Sequence, residues 1–160
     1  MDNPFRIGYG FDLHQWQTGR KLVLGGVEIE HHQGLLGHSD ADALTHAIID
    51  ALLGALALGD IGQHFPDTDP RYKGINSLKL LSYTMDLIRK QNYRVGNIDC
   101  TIVTDAPKMA PHIPAIRETL AQQLDITSDQ VSVKATRTEQ VLFSAGDGLL
   151  AMATALLLKS

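Results

Sequence analysis

Hydrophobic and polar residues alternate through Phe5–Phe11, which predicts a first strand. The run KLVLGGVEIE alternates on both sides of Gly25-Gly26 and predicts a hairpin. After the glycine-bounded loop GLLGHS the period lengthens. Leu44, Ala47, Ile48, Ala51, Leu52, Ala55 and Leu56 fall at helical spacing, with Ser39 placed as the N-cap and Gly59 as the stop. The stretch DIGQHFPDTDPRYKG is a polar loop of a length that is usually functional. Ser77 is placed as the cap of a second helix reaching Gln91, with Leu78, Leu81, Met85 and Ile88 inward. A strand at Ile98–Val103, the proline-stiffened loop TDAPKMAPHIP, a helix at Ile113–Leu124 and a strand at Val131–Ala135 follow. The tail GLLAMATALLLKS favours helix by propensity alone, being rich in Leu, Ala and Met. Strands and helices mix without a regular βαβ repeat, so the expected fold is α+β, a single domain over residues 1–160 with a mixed sheet packed by helices.

Composition narrows the partners. The 160 residues are 44% hydrophobic and 20% charged, enough for a sizeable core. The net charge of −4, with no basic stripe, argues against nucleic acid and anionic membrane as partners. A phosphate-bearing ligand would have to be held by metals, helix ends or single cations. The one cysteine, Cys100, excludes an intramolecular disulfide and a thiolate zinc site, and it suits a reducing compartment. Met1–Ile7 has no apolar signal region, and the apolar run Leu149–Leu158 is too short to span a bilayer, so the expected location is cytoplasmic.

Three clusters carry candidate chemistry. Asp12 and His14 stand two apart in an extended segment, so both side chains share a face. His46 lies on the first helix, four residues from Asp42 and from Asp50. Taken alone it could be an ordinary member of a polar helical stripe. Joined to Asp12 and His14 it completes a set suited to Zn²⁺ with one position open, and Asp50 would then accept its second ring N–H. His38-Ser39, at the expected helix start, would offer an anion site. In the segment KATRTE, Lys134, Thr136, Arg137 and Thr138 are phosphate donors, and Glu139 is an oxygen ligand suited to Mg²⁺. The zinc set by itself would serve a hydrolase equally well.

The motifs RIGYGFDLH, GLLGHSDADALTHAIIDALLGALALGDIG, FPDTDP, APKM and VKATRTE, in this order and across the whole chain, resemble the 2-C-methyl-D-erythritol 2,4-cyclodiphosphate synthase family. The resemblance implies cyclisation of 4-diphosphocytidyl-2-C-methyl-D-erythritol 2-phosphate with release of CMP. It implies zinc on Asp12, His14 and His46, and Mg²⁺ or Mn²⁺ on Glu139. His38 and Ser39 would hold phosphate, and Asp60, Ile61, Gly62, Phe65, Pro66, Asp67, Thr68 and Asp69 would line the erythritol pocket. Thr104, Asp105, Ala106, Pro107, Lys108, Met109 and Ala110 would hold the cytidine. Thr136, Thr138, Glu139 and Phe143 would complete the substrate site, with His38 as a catalytic residue; Arg137, which departs from the family pattern, is read from its own chemistry as a substrate-binding and catalytic residue, a guanidinium able to hold phosphate in bidentate fashion. The family's homotrimer with a central cavity is implied too, and with it a strand at Gly148–Lys159 against propensity. The chain departs from the family pattern twice. Arg137 stands where a threonine is usual, and FSAGDGLL lacks the arginine that usually precedes the last strand, with Asp147 in place of Glu. The departures leave room for a third reading, a trimeric scaffold that has lost its chemistry.

Overall fold

β1 spans fourteen residues, Phe5–Thr18, so Asp12 and His14 lie inside the first strand instead of just beyond it. The computed structural model describes residues 4–141 and 147–160. β1 pairs antiparallel with β7 (Gly148–Lys159), in register from Phe5 opposite Leu158 to Gln15 opposite Gly148. The other side of β7 pairs antiparallel with β5 (Tyr93–Val103). The tail is therefore a strand against its helical propensity, as the resemblance implied: two ladders and the burial of one whole face outweigh a preference of a few tenths of a kcal/mol per residue. β6 (Val131–Thr136) runs parallel to β5 at one edge, and β4 (Gln33–Leu35) closes the other edge against β1. β5 begins ahead of the expected Ile98 because a bulge between Val95 and Asn97 breaks its alternation. β2 (Leu22–Leu24) and β3 (Val27–Ile29) form the expected hairpin, whose turn glycines Gly25 and Gly26 have φ of 57° and 76°.

The helices are α1 (Ala43–Ala55), α2 (Ile61–His64), α3 (Ser77–Lys90) and α4 (Ile113–Leu124). α1 is buried on nearly all sides. Its N-cap is Asp42, not Ser39, and it ends at Ala55, ahead of Gly59. The Asp42 carboxylate is fully buried and takes four hydrogen bonds: from Gly25 N (2.8 Å), Gly26 N (2.7 Å), Thr45 N (3.0 Å) and Thr45 Oγ1 (2.7 Å). One carboxylate thus caps the helix and clasps the hairpin turn. Burial pushes its carboxyl up despite these donors. α3 is capped by Asn76, so Ser77 is its first helical residue and is released for another task. Among the described residues no helix is long and apolar enough to cross a membrane.

The two faces of β1 differ in kind. Gly8 and Gly10 face α1, where a Cβ on either would lie 1.8 Å from the carbonyl oxygen of Ala51 or Ala47, respectively. The missing side chains let the helix lie directly on the strand. Two strand residues cover roughly 6.6 Å and four helical residues roughly 6 Å, so strand and helix stay in step as they run antiparallel. The next residue on this face after Gly10 is Asp12, and the residue before Ala47 is His46. The opposite face bears Phe5, Ile7, Tyr9, Phe11 and Leu13, which are 50–71% exposed.

Candidate functional site

Close docking of α1 brings Asp12, His14 and His46 together, with one ligand atom from each within 4.8 Å of the others. Their hydrogen bonds assign the ring protons. His14 Nδ1 lies 2.6 Å from the Leu36 carbonyl, an acceptor only, so Nδ1 carries the proton in the neutral ring. Its Nε2 is buried and lies 2.8 Å from Asp12 Oδ2. His46 Nε2 lies 2.8 Å from Ser77 Oγ, and the hydroxyl proton of Ser77 is donated to Asp40 Oδ1. His46 Nε2 must therefore donate, which leaves Nδ1 as a lone pair 3.1 Å from the same Asp12 Oδ2. Two imidazole lone pairs and a carboxylate oxygen converge on one point, which is a site for a cation. Burial alone would raise Asp12, but His14 and His46 outweigh it and hold the carboxyl far below its ordinary range. Burial works against His14 in turn, yet Asp12 and the Leu36 carbonyl prevail and its net shift is upward. In the absence of a metal the site favours a proton. The donor set of two imidazoles and one carboxylate fits a borderline divalent ion.

Asp50 does not contact His46 as expected. Its Oδ1 accepts from Ile61 N at 2.7 Å and ties down α2, while burial and the neighbouring charges of Asp60 and Asp12 push its carboxyl up. The outer support of His46 comes from Ser77 and Asp40. The helix N-terminus is likewise not open to an anion, because Asp42 already occupies it. His38 and Ser39 instead project from the preceding loop into a cavity of about 460 Å³ that also contains Asp12, His14, His46, Ile61, Gly62, Phe65, Pro66 and Asp67. Arg20 donates to the Ser39 carbonyl at 2.8 Å and fixes this loop. Asp60 caps α2 through Gln63 N, and Asp69 binds Arg71 at 2.5 Å; neither is among the cavity-lining residues, nor is Thr68.

A second cavity of about 350 Å³ opens where β5 and β6 end. Thr104, Asp105, Pro107, Lys108, Met109, Ala110, Thr136 and Arg137 line it. Ala106 is not among the lining residues; its carbonyl accepts from Thr104 Oγ1 at 2.6 Å. Two expected phosphate donors are otherwise engaged. Thr138 is buried and gives its hydroxyl proton to Asp105 Oδ2 at 2.5 Å, and Lys134 binds Asp99 at 2.7 Å. Arg137 and Glu139 are exposed, and Glu139 holds φ at 49°. Glu139 stands outside the Asp12–His14–His46 group, the one such set among the described residues. Phe143 lies outside the described residues.

The YgbB family model matches residues 5–158. The chain belongs to the YgbB family. Among its relatives is a protein of Clostridium perfringens named 2-C-methyl-D-erythritol 2,4-cyclodiphosphate synthase, 56% identical over 155 residues that cover 96% of this chain and 99% of the relative. A solved 2C-methyl-D-erythritol-2,4-cyclodiphosphate synthase in its CDP-bound form superposes with a TM-score of 0.88 at 38% identity, covering 95% of this chain and 99% of that one. The bifunctional IspDF of Campylobacter jejuni superposes at 0.92 with 37% identity, and the match covers 98% of this chain and 42% of the larger protein. Within this YgbB chain, pattern reasoning missed Ser77, Asp40 and Arg20. Asn76-Ser77 offers two capping side chains for one helix start, and the spare one was the available signal for Ser77. Arg20 gave no local signal.

Proposed function

We propose that the chain converts 4-diphosphocytidyl-2-C-methyl-D-erythritol 2-phosphate into 2-C-methyl-D-erythritol 2,4-cyclodiphosphate and CMP. An oxygen of the 2-phosphate forms a bond to the phosphorus nearest the erythritol, and that phosphorus loses its bridging oxygen to CMP. The observation that carries the reading is the convergence of Asp12, His14 and His46 beside a cavity edged by His38 and Ser39. Both reacting groups are anionic, so the barrier is charge repulsion and orientation. Zinc on Asp12, His14 and His46, with Mg²⁺ or Mn²⁺ on Glu139, would supply charge neutralisation when bound. Ser39 Oγ accepts from Ala41 N at 3.1 Å and can turn its own proton toward phosphate, as His38 can turn its ring. The loop from Ile61 to Asp67 would enclose the erythritol. The second cavity, Lys108 included, would take the cytidine, with Arg137 facing the diphosphate.

The two cavities lie at one end of the sheet: Asp12 of β1 and Ile102 of β5 are both opposite Ala151 of β7. A homotrimer that pairs the first cavity of one copy with the second of its neighbour accords with the apolar stripe Phe5, Ile7, Tyr9, Phe11 and Leu13. The reading includes a cytoplasmic location. The test is a ³¹P NMR time course with zinc, magnesium and the diphosphocytidyl substrate. A cyclic diphosphate appearing with CMP is expected. A linear product would replace this reading with hydrolysis, and an unchanged substrate over zinc-loaded protein would overturn it. Arg137→Ala is expected to lower turnover more than tenfold with zinc retained; normal turnover would remove Arg137 from the site.

A further inference from the structure

We propose that Ser77 and Asp40 form a positioning pair that excludes the metal-blocking tautomer of His46. This rests on the metal site of the reading above. In a site without metal, His46 has two ways to satisfy itself. It can donate Nδ1–H to Asp12 Oδ2, 3.1 Å away, or donate Nε2–H to a serine and keep Nδ1 bare. The first is a charge-assisted bond and would be the natural choice, but it puts a proton where a metal must sit. The second is enforced from the far side of the ring.

Two hydroxyls face Nε2, and they differ in what they allow. Ser39 Oγ, at 3.2 Å, accepts from Ala41 N, and its proton is not tied to a carboxylate, so it can serve either tautomer. Ser77 Oγ, at 2.8 Å, donates to Asp40 Oδ1 and can only accept from His46. Asp40 is itself tied by three backbone hydrogen bonds. Its Oδ2 accepts from Ser77 N at 3.0 Å, its Oδ1 accepts from Asp42 N at 3.2 Å, and its own N–H donates to Ile75 O at 3.1 Å. Ser77 is fully buried, so water cannot take its place. A carboxylate that never touches the metal thus dictates, through one hydroxyl, which imidazole nitrogen is bare.

The test reads the ring protons and zinc affinity directly, without substrate. In metal-free protein held well above the ordinary imidazole range, ¹⁵N-resolved NMR of His46 is expected to show Nε2–H. In Ser77→Ala it is expected to shift toward Nδ1–H, with zinc affinity, measured against a competing chelator, falling about 10–100-fold. Asp40→Ala is expected to weaken zinc comparably in the parent chain but by less than about threefold in Ser77→Ala, because both act through one hydroxyl. A purely structural role would give additive losses and an unmoved tautomer. If the unmutated protein shows Nδ1–H at His46, the proposal is overturned, whatever the variants do. It is also overturned if Ser77→Ala keeps Nε2–H and parental zinc affinity. Absence of cyclisation leaves these readouts standing, and their failure leaves cyclisation to be judged separately.

Discussion

Gly10→Ala puts the link between packing and chemistry to the test. The new Cβ would sit 1.8 Å from Ala47 O and 2.7 Å from Ala51 N. A carbon–oxygen contact needs about 3.3 Å, so α1 must retreat by about 1.5 Å at Ala47, the neighbour of His46. Both clashing atoms are backbone, and no side-chain rotation relieves them. Overpacking of this kind costs about 3 kcal/mol, which at about 2–4 °C per kcal/mol for a chain of this size lowers the melting temperature by about 6–12 °C. The retreat also exceeds the roughly 0.2 Å latitude of metal–ligand distances, so zinc affinity is expected to fall by at least about tenfold. Differential scanning calorimetry and chelator competition measure the two effects. Gly54→Ala is the matched control on the same helix, because its Cβ would have only Tyr9 O nearby, at 3.9 Å. There the gain in helix propensity is expected to stabilise by up to about 1 kcal/mol. Parental melting and parental zinc affinity in Gly10→Ala would refute the claim that close docking builds the site.

Asp42→Ala removes the helix cap and strands the buried N–H groups of Gly25 and Thr45 and the half-buried one of Gly26; a loss of about 3–5 kcal/mol is expected, measurable by urea unfolding. Zinc binding is expected to release protons, and its apparent affinity to rise with pH through the His14 titration, because the raised His14 holds a proton that the metal displaces; calorimetry in buffers of different ionisation heat measures this. In metal-free protein the lowered Asp12 contributes stability above its ordinary 3.8 that is lost on acidification, and the raised His14 contributes stability below its ordinary 6.5 that is lost as pH rises through its folded value, so this pair stabilises most between the two, as thermal melts across pH would reveal. Cys100 is buried and its thiol is pushed up to about 12, so a thiol reagent at mildly alkaline pH is expected to label it only after unfolding.

The parts legible in the sequence are those written in local periodicity. The two-residue spacing of Asp12 and His14 marked a shared face, and the hairpin at Gly25-Gly26 was signalled by its glycines. The helix bearing His46 was clear from its apolar spacing. What stayed hidden depends on competition between neighbours for one role. Ser39, Asp40 and Asp42 can all cap a helix, and only the fold shows that Asp42 wins because it also binds the hairpin turn. That outcome frees Ser39 for the cavity and Asp40 for Ser77. Asp50 stood at a plausible helical spacing from His46, but a helical side chain four residues away need not turn toward its neighbour when an unpaired N–H, here that of Ile61, lies closer to hand. The final strand was hidden from propensity alone, and only the family resemblance pointed to it, because its alanines, which fit beneath α1, are also strong helix formers. Its conformation is decided by the strands on either side.

The two-faced character of β1 makes chain length in this segment count in steps of two. Deleting one residue between Phe5 and Asp12 would carry the carboxylate and imidazole to the apolar outer face and drive bulky side chains under α1, where even a methyl group does not fit. Deleting two would restore the faces but displace the ligands by about one helical turn relative to His46. Neither change can be absorbed by a neighbouring strand, since β7 is paired on both edges. Insertions and deletions tolerated by this architecture must therefore fall elsewhere in the chain, and directed-evolution libraries that vary length can spare β1 entirely.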